Sequence, residues 1–105
     1  YMNGSFFENF VIMELRKSWL HNGKRASFFF YRDSAFKEVD LLIKEGTQYF
    51  PVEIKMSENP DVSMIKAFDN IKGGSFTRGP GAVICLAQNP CYLRPDVVAH
   101  SIWDI

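Results

Sequence analysis

Apolar and polar positions along the chain change their period several times, and each change marks an element. At about 100° per residue, Glu8, Val11, Ile12, Leu15 and Trp19 fall on one face, while Asn9, Arg16 and Lys17 point elsewhere. Asn3-Gly4-Ser5 offers start chemistry and His21-Asn22-Gly23 a stop, which predicts a helix over residues 6–20. Glu8 is the anomaly, a carboxylate in the middle of an apolar stripe. If the stripe packs on a sheet, that charge needs a partner, because an unpaired buried charge is costly.

A period of two follows. Phe28-Phe29-Phe30-Tyr31-Arg32 reads as a strand, and residues 37–44 and 49–56 as two more, joined by a turn at Glu45-Gly46. In the first of this pair Val39, Leu41 and Ile43 share one face, with Glu38, Asp40 and Leu42 on the other. In the second, Val52, Ile54 and Met56 oppose Glu53 and Lys55. After Ser57-Glu58-Asn59-Pro60-Asp61, the spacing of Met64, Ala67, Phe68 and Ile71 predicts a helix over 62–72, closed by Gly73-Gly74. Residues 72–81 read as a loop; they lack the GxxxxGK[ST] pattern of a phosphate loop. Residues 82–87 are an unbroken apolar run, as a central strand covered on both faces requires. Residues 97–103 complete the order α-β-β-β-α-β-β, which predicts an α/β fold on the α+β border: a mixed central sheet with flanking helices.

Composition narrows the class. With 105 residues, 47% apolar and 15% aromatic, the chain suits one domain with a real core, residues 1–105, and excludes disorder. Twelve basic residues balance twelve acidic ones, so any nucleic-acid contact must be a local patch or be shared with another domain. Cys85 and Cys91 form no CxxC, and His21 and His100 are isolated, which speaks against structural zinc. Without a signal peptide or a run of 18 apolar residues, the expected location is the cytoplasm. The abrupt entry from Tyr1-Met2-Asn3-Gly4 into a helix suggests a domain cut from a longer chain.

The candidate chemistry lies on the hairpin. Matching its apolar faces requires an even loop of two or four residues, since a one-residue slip turns every side chain over. A loop over 45–48 sets Asp40 opposite Glu53 and Glu38 opposite Lys55. Opposed residues have Cβ atoms about 4.5–5.5 Å apart, so the two carboxylates can share one divalent cation. Without a cation, their repulsion would raise one pKa. Lys55 leans to the same side as Glu53 and could orient a water or steady a phosphate in transit. Glu8 could add a third carboxylate, or find Arg32 or Lys55. The plainer alternatives are a solvated face on which Asp40 and Glu53 pair with Lys55 and Lys37, and a Glu8 that caps Arg25 or a backbone amide. Glu14 and Lys17 read as a solvent-facing pair.

Taken in order, several blocks resemble one family: Gly4-Ser5-Phe6-Phe7-Glu8-Asn9-Phe10-Val11 with Glu14-Leu15, then Phe30-Tyr31-Arg32-Asp33, Glu38-Val39-Asp40-Leu41-Leu42-Ile43 and Pro51-Val52-Glu53-Ile54-Lys55. The family is the uncharacterised C-terminal domain attached to many bacterial and archaeal AAA-type ATPases. That domain resembles the PD-(D/E)xK, or restriction-endonuclease-like, nucleases. The similarity covers nearly the whole chain and is clearest over 4–57. It implies a restriction-endonuclease-like fold, Asp40 and Glu53 as metal-binding acids, Lys55 as catalytic lysine, Glu8 as the helix carboxylate of some branches, and Mg²⁺ or Mn²⁺ as cofactor. Val39 stands where the signature has proline. The helix after Lys55 lacks the glutamine-tyrosine pair of helicase-associated nucleases, which bears on how DNA is engaged. The implied partners are an N-terminal AAA-type ATPase domain of the same parent chain, DNA and a possible homo-oligomer, with no membrane. The resemblance thus frames two functions: a Mg²⁺-dependent DNA phosphodiesterase beside an ATPase, or a non-catalytic docking, oligomerisation or regulatory module that keeps the nuclease-like fold. RNA or nucleotide cleavage in a defence or toxin setting is a third.

Overall fold

The computed structural model describes residues 3–33 and 38–105. Lys37, expected to open a strand and named above as a partner for the carboxylates, lies outside the described residues, as do Tyr1 and Met2.

Helix α1 spans Gly4–His21. The Asn3 side chain accepts the Phe6 amide at 3.0 Å, which satisfies one of the free donors of the first turn. Gly23, with φ +69°, carries the chain out of the helix in a conformation that favours glycine. The buried stripe is Phe7, Val11 and Leu15. It runs slightly to one side of the expected face, leaving Glu8, Ile12 and Trp19 half-buried on its flank.

Seven strands form one mixed sheet. Strands β1 (Ser27–Arg32), β2 (Glu38–Glu45) and β3 (Gln48–Ile54) are antiparallel, and Gly46 (φ +62°) turns the β2–β3 hairpin. Strands β4 (Thr77–Arg78) and β5 (Gly81–Cys85) both run parallel to β3. Strand β7 (Val97–Ser101) is parallel to β5, and β6 (Cys91–Arg94) is antiparallel to β7 at the far edge. The order is β1-β2-β3-β5-β7-β6, with β4 off this path. Pro51 has no amide to donate, and it falls between the β4 pairings of Gln48 and Tyr49 and the β5 pairings that begin at Val52. At Gly81 a Cβ would come within 2.8 Å of the Phe68 ring, so only glycine lets that ring pack against the strand.

Two 3-10 helices complete the chain, η1 (Val62–Asn70) and η2 (Ile102–Asp104). The sheet has a core on each face. Beneath α1, Phe7, Val11 and Leu15 meet Leu41, Ile43, Val52, Ile54 and Ile84. On the opposite face, Ile65 and Phe68 of η1 meet Val39, Leu42, Tyr49, Val83 and Val97. Strand β5 feeds both cores by alternation, Val83 and Cys85 to one and Ile84 to the other.

The mixed α/β class and the central place of β5 agree with the sequence, and five details differ. The strand expected over 97–103 ends at Ser101, where η2 begins. The second helix is 3-10, not α; buried Ile65 and Phe68 are three residues apart, a spacing that both helix types satisfy. Two short strands, β4 and β6, were not expected; the loop over 72–81 contains the first of them. Strand β3 ends at Ile54, before an exposed Met56. Val39 packs with Leu42 rather than with Leu41 and Ile43. The last difference creates the site.

Candidate active site

Strand β1 pairs Phe29 with Leu42 and Tyr31 with Val39. Between those pairs β1 has one residue, Phe30, whereas β2 has two, Asp40 and Leu41. This is a β-bulge, one extra residue that breaks the alternation and re-aims a side chain. It explains why Val39 lands on the η1 face, and it frees Asp40 from the regular pleat.

The β2–β3 ladder runs from Glu45↔Gln48 to Leu41↔Val52. The register is the expected one, although the turn is tighter than the four residues predicted: Glu45 and Gln48 still pair, leaving Gly46-Thr47 as the loop. One step past Leu41↔Val52, side chains take over from the ladder. The Ile54 amide donates to Asp40 Oδ2 at 2.8 Å, and the Asp40 amide donates to Glu53 Oε1 at 3.2 Å. Each carboxylate therefore satisfies an amide of the neighbouring strand. The Glu53 side chain is only 6% exposed, and Lys55 Nζ stands 3.5 Å from its Oε2. Lys55 itself is 43% exposed, so the group opens to solvent at its lysine end.

Burial pushes the Glu53 carboxyl up to about 7, and the nearby charge of Asp40 adds to the rise, as does a hydrogen bond between the two carboxyl groups. The Asp40 amide and the Lys55 ammonium pull the other way without cancelling it. Glu8 is also raised, first by burial and then by Asp40, with Lys55 opposing. So Glu8, half-buried on α1, feels the same charges that Glu53 does. Of its expected basic partners, Lys55 acts on it and Arg32 does not: the Arg32 Nε donates to Glu38 at 2.8 Å. Among the described residues, three carboxylates thus share a single ammonium, and with all of them ionised that group is doubly negative.

Among the described residues, no three His, Cys, Asp or Glu side chains gather to hold a metal ion. Asp40 and Glu53 form a two-carboxylate pair, and Glu8 on α1 feels the charges of Asp40 and Lys55. The donor set still fits a hard divalent cation, which binds carboxylate oxygens and commonly keeps several waters.

The other expected positions are quieter. Glu14 and Lys17 make the solvent-facing pair at 3.4 Å; Cys85 is buried and Cys91 exposed. A second charged group escaped the sequence reading. Asp69 of η1 and Asp96 of the β6–β7 turn meet Arg78 of β4 and Arg94 of β6 at 2.9–3.5 Å. Asp69, Arg78 and the Arg94–Asp96 segment lie apart in the chain, so no local signal could have united them.

The fold and the pair define the class: a mixed α/β domain with a carboxylate couple, Glu53 buried and Asp40 half-buried, and an adjoining lysine at a sheet bulge. The chain belongs to the family described as Domain of unknown function (DUF4143), whose model matches residues 3–104. No curated protein and no solved structure matches it. No described helix is long and apolar enough to cross a membrane.

Proposed function

We propose that this domain is a metal-dependent phosphodiesterase module with a restriction-endonuclease-like fold, acting on DNA beside an AAA-type ATPase domain of the same parent chain. The observation that carries the reading is the reciprocal Asp40–Glu53 pair with Lys55 Nζ 3.5 Å away. Holding the half-buried Asp40 carboxylate against the buried Glu53 is unfavourable without a compensating positive charge, and one lysine leaves the deficit described above. Bound between Asp40 and Glu53, Mg²⁺ or Mn²⁺ would supply Lewis-acid polarisation of a phosphoryl oxygen and an activated water. The residues themselves hold and orient. Strand amides fix one oxygen of each carboxylate, so the pair needs little reorganisation. Lys55, anchored by Glu53 and open to solvent, is placed to stabilise negative charge developing on a phosphate.

A second reading has its own support. The same hydrogen bonds stitch β2 to β3 where the ladder ends, which is a structural role. In addition α1 exposes Phe6, Phe10, Met13 and Leu20 away from the sheet, as a docking or oligomerisation module of the ATPase would. Calorimetric titration with Mg²⁺ and Mn²⁺, followed by a cleavage assay on plasmid and single-stranded DNA, separates the two. Asp40→Asn is the informative variant, because the amide oxygen can still accept from Ile54 while the charge is lost. Uptake and nicking that vanish in Asp40→Asn support the phosphodiesterase; no uptake and no cleavage, alone or joined to the ATPase, leave the docking module.

A further inference from the structure

Although the chain is neutral overall, its cations are not evenly spread. Along edge strand β1, rings and cations alternate. The Lys24 ammonium lies 5.5 Å from the Trp19 ring, and Trp19 meets Phe28 edge-on at 6.2 Å. The Arg16 guanidinium sits 5.3 Å over Phe28, and that of Arg32 lies 5.9 Å over Phe30. A shallow hollow lined by Arg16, Trp19, Lys24, Arg25 and Phe28 opens on this side of β1. A second hollow, on the Phe29 side, is lined by Arg25, Lys44 and Phe76. Among the described residues, no carboxylate lies within ion-pair distance of Arg16, Lys24, Arg25 or Lys44. Arg16, Lys24 and Lys44 hold their charge against ring faces, where it remains available to a ligand. Glu45 of the hairpin accepts from the Trp19 indole at 2.7 Å.

The row also leads somewhere. Phe30, 61% exposed, is the β1 residue opposite the bulge that carries Asp40. We infer that the α1 side of the β1 edge, from Lys24 through Arg16 to Phe30, is a track for single-stranded nucleic acid, with phosphates on the cations and a base stacked on Phe30 beside the carboxylate pair. The exposed Phe30 ring beyond these cations matches a single strand, whose bases are free to stack, whereas duplex bases are not. Arginine and lysine without carboxylate partners match the phosphates. This track rests on the phosphodiesterase reading for the purpose it serves, yet binding itself requires neither a cation nor cleavage.

The test is fluorescence anisotropy of a short labelled DNA single strand and its duplex with the 105-residue chain, in EDTA at low salt, alongside flotation with phosphatidylserine vesicles. We expect the single strand to bind roughly tenfold tighter than the duplex, and Phe30→Ala to weaken it roughly tenfold. Arg16→Gln with Lys24→Gln should flatten the logarithmic salt dependence by about 1.4, the share of two phosphate contacts on a single strand. Lys66→Gln, on η1 across the sheet, should change nothing. Equal affinity for duplex with no effect of Phe30→Ala, vesicle binding without oligonucleotide binding, or no binding of any probe each overturns the track. Because EDTA removes the cation, a failure of cleavage leaves this result standing. Cleavage without loss in the Phe30 and Arg16/Lys24 variants would overturn the track while sparing the phosphodiesterase.

Discussion

Two groups of charged side chains lie on this fold, and they are built on opposite plans. Asp69, Asp96, Arg78 and Arg94 are balanced, two acids against two guanidiniums, joined by four contacts of 2.9–3.5 Å. Hydrogen bonds from Arg94 and then Arg78 hold the Asp69 carboxyl below the usual range. The group clamps η1 to β4, β6 and the β6–β7 turn. Glu8, Asp40, Glu53 and Lys55 are unbalanced, three acids against one ammonium, and there burial and mutual repulsion hold two carboxyls above the usual range. In the balanced group the guanidiniums lower the Asp69 carboxyl, and each acid meets an arginine. A group whose acids are raised in a buried setting remains short of positive charge, and such perturbed groups collect at functional sites.

The largest way to break the contrast is to remove the one cation of the unbalanced group. Lys55→Ala should lower any Mg²⁺- or Mn²⁺-dependent cleavage roughly 100- to 1,000-fold. The fold should persist, because the Lys55 side chain is 43% exposed. Undiminished turnover would remove the lysine from the chemistry.

Next comes the dependence of stability on pH. The folded value of Glu53, about 7, lies above its ordinary 4.5. Between those values the folded state keeps a proton that the unfolded chain has released. Its contribution is therefore full below pH 4.5 and is lost as pH rises through about 7, an effect of up to about 3 kcal/mol. Urea titrations across that window should show the decline, and Glu53→Gln should flatten it. The balanced group acts in the reverse sense. Asp69, lowered from 3.8, contributes above that value and loses its contribution as pH falls further.

A divalent cation should offset the alkaline loss. At a hundredfold excess over its dissociation constant, Mg²⁺ or Mn²⁺ would stabilise the domain by about 2.7 kcal/mol. Binding should release a proton below pH 7 and disappear in Asp40→Asn. Thermal melts with and without EDTA read this directly, and identical curves would favour the docking module.

The smallest effect belongs to the clamp. An NMR titration should place the Asp69 midpoint below the ordinary 3.8, and Arg94→Ala should move it back toward that value. Since the Asp69 carboxylate is exposed to solvent, added salt should weaken the shift. An Asp69 midpoint equal to that of Glu53 would erase the distinction between the groups.

Much of the molecule was legible in the sequence because it depends on near neighbours. The Asn3 cap and the Gly23 stop delimited α1, and the apolar run around Val83 marked a strand covered on both faces. Parity on the β2–β3 hairpin was enough to give the register from Glu45↔Gln48 to Leu41↔Val52, since turn and ladder are local. Strict alternation, however, put Val39 with Leu41, and it could not reveal a bulge that is defined only against β1. Nor could spacing tell a 3-10 helix from an α-helix when Ile65 and Phe68 are three apart. Strands as short as Thr77–Arg78 carry no period; pairing with β3 is what makes them strands. The sequence by itself determined which residues could meet across one hairpin and which helix face was apolar, because backbone geometry and the period of two or 3.6 act over a few residues. Only the tertiary structure decided that Asp40 leaves the pleat to accept the Ile54 amide, that Glu8 comes within the field of that pair, and that one charged group is balanced and the other is not. Electrostatic balance and burial are sums over everything nearby in space, and most of those neighbours are distant in the chain.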